Sequence, residues 1–181
     1  MVTLATKLTL LRASFIPLIV FLVTSSSSLL NFMAAVAFCL AALTDLFDGL
    51  LARRTNSVTN LGKLLDPMSD KLLVLTVLIF LVSMGRAPAW AVAVIVAREI
   101  AVTTLRGLAA SKGVIMAASR WGKLKNLLQL SATTLLILPP SWYMGRINQL
   151  GLYLLFVAVF LTALSGIKYV VDYYRLQKSP Y

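Results

Sequence analysis

The 181-residue sequence contains no histidine, which removes the commonest general base and the usual ligand of zinc, copper and haem iron. Its one cysteine, Cys39, excludes a disulfide scaffold. Charge is scarce as well, at 13% of residues, against roughly 25% in an average soluble domain. Negative charge is scarcest of all: six acids stand against 17 lysines and arginines, a formal balance of +11. Apolar residues make up 60% of the chain, too many for a disordered protein and too many for a soluble one of ordinary composition. Glycine follows no period, which excludes collagen.

A membrane-spanning helix needs about 20 mainly apolar residues, and six windows of that kind can be read along the chain. They run from about Leu8 to Val23, Leu29 to Arg53, Leu64 to Met84, Pro88 to Leu108, Ser119 to Leu138 and Asn148 to Tyr174. Pro139 and Pro140 close the fifth, because proline cannot continue a helix. Little chain is left over, so the expected fold is all-α: an integral membrane protein of six transmembrane helices with short loops, one domain over residues 1–181. Cys39, mid-helix among Ala, Phe and Leu, is expected to pack.

Cytoplasmic loops carry the excess of lysine and arginine. With six spans the N-terminus with Lys7, the 53–63 loop, the 106–125 region and the tail after Lys168 share one side, leaving Arg86 and Arg146 on the other. Both termini are therefore expected in the cytoplasm, with attraction to anionic membrane lipid. A cleavable signal peptide over the first window is the alternative, but Arg12 interrupts it and no small-residue cleavage pattern follows. Nucleic-acid binding fits poorly, since the bases are spread over loops without interleaved aromatics.

Four of the six acids, Asp45, Asp48, Asp66 and Asp70, fall between positions 45 and 70. Acids in membrane helices are costly and usually functional. Asp45 and Asp48 are i, i+3 neighbours near the end of the second window; Asp66 and Asp70 are i, i+4 neighbours at the start of the third, so each pair shares a helix face. A loop of about ten residues makes the two helices antiparallel neighbours and lets the pairs converge. Pairing with Arg53, Arg54, Lys63 or Lys71 would account for one or two of them. Four convergent carboxylates without histidine or cysteine suit hard divalent cations, Mg²⁺ first and Mn²⁺ second, and two ions would balance the charge. Such ions commonly complete their coordination with phosphates and serve phosphoryl transfer. Between the pairs, Gly49 and Ala52 leave room for a ligand, Arg53 can meet a phosphate, Thr59 offers a hydroxyl, and Gly62 lets the chain turn. A divalent-cation transporter could also use four aspartates, but it would need access from both faces.

Taken together these residues read D-x2-D-G-x2-A-R-x8-G-x3-D-x3-D from Asp45 to Asp70. The pattern resembles the signature of the CDP-alcohol phosphotransferase family, six-helix membrane enzymes, at all eight fixed positions. The resemblance implies that Asp45, Asp48, Asp66 and Asp70 bind two divalent cations holding the diphosphate of a CDP-linked donor. It also implies that Asp70 is the base, and that Thr9, Gly49, Ala52, Arg53, Thr59 and Gly62 line the CDP pocket. Leu8 to Arg12, Gly62 to Pro67, Ala97 to Ile100 with Leu105 and Arg106, and Gly122 to Lys125 are similar to segments of bacterial members that make phosphatidylglycerol phosphate. That likeness implies transfer of the phosphatidyl group of CDP-diacylglycerol to sn-glycerol 3-phosphate with release of CMP. Serine, inositol phosphate or phosphatidylglycerol are the rival acceptors within the family, and a homodimer is left open.

A dianionic acceptor phosphate calls for two or more fixed cations, and Arg98, Arg106, Lys123 and Lys125 are the candidates. Glu99 and Arg106 are seven residues apart on one helical stripe, so Glu99 is expected to orient Arg106. Lys123 and Lys125 differ by about 200° on an ideal helix, so a regular helix cannot present both to one pocket. With no histidine and no activated cysteine as covalent nucleophile, direct displacement is expected.

Overall fold

The computed structural model describes the backbone of residues 4–55, 60–111, 120–139, 141 and 145–178, and the side chains of 14–43, 71–111, 122–139, 141 and 145–175. These residues form six helices: α1 (Leu4–Thr24), α2 (Ser28–Thr55), α3 (Asn60–Ser83), α4 (Ala89–Ser111), α5 (Arg120–Ile137) and α6 (Arg146–Lys178). No strand occurs among the described residues, and the all-α expectation holds.

The helices overrun the apolar windows where polar residues continue the turn. α2 runs on through Arg53 to Thr55 and α3 begins at Asn60, both reaching into the expected ten-residue loop, and Gly62 lies inside the first turn of α3. Their ends have local causes. At the end of α3, the Gly85 N–H donates to the Val82 carbonyl (2.9 Å) and the Arg86 N–H to the Leu81 carbonyl (2.8 Å). This is the paired closure that needs a left-handed residue, and Gly85 supplies it with φ of 69°. α5 stops at Ile137, two residues before Pro139.

α5 packs along α6 and α6 along α4, while α1 lies against both α2 and α3; α2 also meets α5, and α3 meets α4 and α5. The ends of α2 and α3 on which their expected direct pairing rests, over 45–53 and 62–70, lie outside the described side chains. Ile19 and Val23, Ala34, Ala35 and Phe38, Leu73, Val77, Leu78 and Leu81, and Ala91, Val92 and Ile95 form the apolar core with Leu136 and Leu155. Their spacing of three and four residues is the helical stripe that faces neighbouring helices. Cys39 packs as expected, half-buried with its Sγ 3.9 Å from Thr134 Oγ1.

The stripes of the last three helices change character along their length. On α5 buried Leu136 and Ala132 give way to Thr133, Gln129 and Lys125; on α6 Leu155 and Ala158 give way to Thr162, Ser165 and Tyr169; on α4 Ala91 and Ile95 give way to Glu99. The bundle is thus apolar at one end and polar inside at the other, the end where α4 stops and α5 starts.

The apolar end is closed by a clasp. Arg86, one of two bases expected on the far side as an orientation marker, turns inward and donates from one nitrogen to Asn31 Oδ1 (2.8 Å) and the Ile137 carbonyl (3.0 Å). Asn31 in turn donates to the carbonyls of Ser25 and Ser27. Asn148 donates to the carbonyls of Leu135 and Leu138. Carbonyls that the last turn of α5 leaves without intrahelical partners are satisfied in this way. Burial holds the Arg86 guanidinium below its ordinary pKa.

One described segment, Arg146–Arg175, is by itself long and apolar enough to cross a membrane; shorter apolar segments run over Ser14–Thr24, Ser28–Leu43 and Lys71–Ser83. Large apolar side chains also point outward from all six helices, among them Phe21, Leu29, Ile100, Phe160 and Ile167.

Candidate active site

Glu99 is the centre of the polar end. Its position on the α4 stripe, four residues after Ile95 and three before Val102, directs its side chain into the bundle, where it is 5% exposed. A carboxylate cannot stay charged there without partners, and three cations from three helices meet it. Lys71 of α3 brings its Nζ to 3.1 Å from Oε2. Arg98 of α4 lies 3.1 Å from Oε1, and Lys125 of α5 also pairs with Oε1. Lys71 donates besides to Thr103 Oγ1 at 2.6 Å.

Arg98 is held on every side. One terminal nitrogen donates to Glu99 and the other to Ser165 Oγ at 2.9 Å on α6, and the guanidinium lies 5.6 Å from the centre of the Tyr169 ring, a cation–π distance. Gly166 makes this approach feasible, since a Cβ there would stand 3.0 Å from Arg98 Cγ. The Arg98 Nε is buried without a hydrogen-bond partner among the described residues. Below Arg98, Ser165 donates to the Thr162 carbonyl, Gln129 to Thr162 Oγ1, and Thr133 to the Gln129 carbonyl. Among the described residues, Glu99 is thus met by Lys71, Arg98 and Lys125.

The four candidate acceptor cations thus divide. Arg98 and Lys125 converge on Glu99, whereas Arg106 and Lys123 are exposed. Lys125 shares the buried stripe of Gln129 and Thr133, four and eight residues on, and Lys123 faces elsewhere, as a regular helix requires. The described ion-pair partners of Glu99 are Lys71, Arg98 and Lys125, not the Arg106 expected from the seven-residue spacing. Lys71 was the member that periodicity did not single out; its place directly after Asp70 was the available signal.

The residues expected to hold metal and CDP lie outside the described side chains. Asp45, Asp48, Gly49, Ala52 and Arg53 lie in the last part of α2, Gly62, Asp66 and Asp70 in the first part of α3, and Thr9 in α1; Thr59 falls outside the described residues altogether. Helix runs unbroken through 45–48 and 66–70, the condition under which residues three or four apart share a face.

Residues 2–164 match the family model described as CDP-alcohol phosphatidyltransferase. The chain is 39% identical over 184 residues to the CDP-diacylglycerol--glycerol-3-phosphate 3-phosphatidyltransferase of Bacillus subtilis (strain 168), spanning 93% of this chain and 94% of that one. It is 38% identical over 166 residues to the protein of the same name from Rickettsia typhi, spanning 90% of this chain and 92% of its relative. Against the one from Shigella flexneri serotype 5b it is 38% identical over 170 residues, 91% of either chain. With its eight signature positions and a match of this extent, the chain belongs to the CDP-alcohol phosphatidyltransferase family.

Proposed function

We propose that the protein transfers the phosphatidyl group of CDP-diacylglycerol to sn-glycerol 3-phosphate, giving phosphatidylglycerol phosphate and CMP. The observation that carries the choice of acceptor is the convergence of Arg98 and Lys125, both largely buried, on Oε1 of Glu99. A phosphate monoester near neutral pH carries close to two negative charges, which suits a site built from an arginine and a lysine, and serine carries no such group. The relatives' names point to the same reaction.

Arg98 and Lys125 take the acceptor's phosphate, Arg98 with its unused Nε–H and Lys125 with ammonium hydrogens beyond the one facing Glu99. Arg106 and Lys123, exposed at the same end, attract the dianion from water. Asp70, one residue from Lys71, takes the proton of the attacking hydroxyl, whose oxygen bonds to the β-phosphorus as the bond to the CMP oxygen breaks. Arg53 donates to the donor's phosphate oxygens as charge builds there; Thr9, Gly49, Ala52, Thr59 and Gly62 line the nucleotide pocket. Two divalent cations, Mg²⁺ or Mn²⁺, held by Asp45, Asp48, Asp66 and Asp70, would supply neutralisation of the donor diphosphate. The transfer is direct.

The chain spans the bacterial cytoplasmic membrane six times, both termini and the polar end of the bundle facing the cytoplasm. The outward apolar side chains on all six helices and the lysine and arginine bias of that end support this reading, and anionic lipid is the surface the bias favours. Purified protein given CDP-diacylglycerol, Mg²⁺ and each acceptor in turn tests the assignment: CMP release with glycerol 3-phosphate supports it, and release with serine alone refutes it.

A further inference from the structure

The two oxygens of Glu99 are used differently. Oε1 faces both Arg98 and Lys125, and Oε2 faces Lys71, the residue directly after Asp70. Arg98 and Lys125 come from different helices and repel one another, and both are largely removed from water. Their convergence therefore depends on the carboxylate between them. Through Oε2 the same group ties α3, which carries Asp70, to α4.

We propose that Glu99 is a positioning residue for the acceptor: one buried carboxylate sets the places of Arg98 and Lys125 and holds them in register with the helix of the catalytic base. This rests on the reading that Arg98 and Lys125 bind the acceptor's phosphate. Glu99 itself touches no substrate. A purely structural carboxylate would act differently, since its loss would weaken the whole bundle and affect both substrates alike.

The test is steady-state kinetics on Glu99→Gln and Glu99→Asp in the full chain, varying glycerol 3-phosphate and CDP-diacylglycerol separately. Glu99→Gln keeps the side chain's size but removes the charge, and it raises KM for glycerol 3-phosphate by about tenfold or more while KM for the donor stays within about twofold. Glu99→Asp keeps the charge on a shorter arm and rescues most of that loss. If Glu99→Gln does not accumulate folded, Glu99→Asp carries the test, with a rise of about threefold in the acceptor KM alone. Unchanged acceptor KM in a folded variant, or equal changes in both KM values, overturns the proposal. Wild-type protein that releases CMP only with another acceptor overturns the glycerol 3-phosphate reading instead; the same KM comparison, made with that acceptor, then decides the role of Glu99.

Discussion

Lys71 Nζ lies 3.1 Å from Glu99 Oε2, joining the helix that carries Asp70 to the helix that carries Arg98. Lys71 is also the member of the cluster most open to water, its side chain 29% exposed, so it is the cheapest to remove. Lys71→Met keeps the aliphatic stem packed and leaves Glu99 two cations. The variant is expected to lose about 1.5–3 kcal/mol of stability, the range for a hydrogen bond to a charged group, read as a lowered unfolding midpoint in detergent.

Burial ranks the four candidate acceptor cations. Arg98→Ala and Lys125→Ala remove donors inside the bundle and should each raise KM for glycerol 3-phosphate by about 10–100-fold, as loss of a charged hydrogen bond worth 1.5–3 kcal/mol implies. Arg106→Ala and Lys123→Ala remove exposed charges, and their effect should be about threefold or less and fade as salt is raised. Kinetics of the four variants at low and high ionic strength check the order.

Gly166 allows Arg98 to lie against α6, with a would-be Cβ 3.0 Å from Arg98 Cγ. Gly166→Ala adds one methyl and no charge. It should displace Arg98 from Ser165 and raise the acceptor KM several-fold, about 2–10, through geometry alone; the donor KM serves as the internal control.

The Arg86 clasp is remote from the cations and should govern stability without governing chemistry. Arg86→Ala leaves Asn31 Oδ1 and the Ile137 carbonyl short of a donor, a cost of about 1–3 kcal/mol. Thermal unfolding should show that loss while both KM values stay at the wild-type level.

Much of this was legible from the sequence because membrane-length apolar runs and helix periodicity are local signals. The six windows recovered six helices, and α5 stops just before Pro139, where residue chemistry puts its end. The partners of Glu99 were not legible: Lys71 and Lys125 come from other helices, 28 and 26 positions away in sequence, and no periodicity within α4 encodes them. The seven-residue rule selected Arg106 because it can see only one helix. The clasp that Arg86 makes at the apolar end was not legible for a similar reason, since a loop arginine that only orients the chain and one that also caps α5 look identical before α2 and α5 are placed beside it.

The chemistry proposed for Asp70 is tested most directly by release of CMP from CDP-diacylglycerol when glycerol 3-phosphate and Mg²⁺ are added to the purified protein. The account predicts CMP and phosphatidylglycerol phosphate in equal amounts, loss of release on chelation, recovery with Mg²⁺ or Mn²⁺, and a fall of about 10²–10⁴-fold in Asp70→Asn, the usual contribution of a general base. No CMP above the Asp70→Asn level, or full activity in that variant, would contradict it.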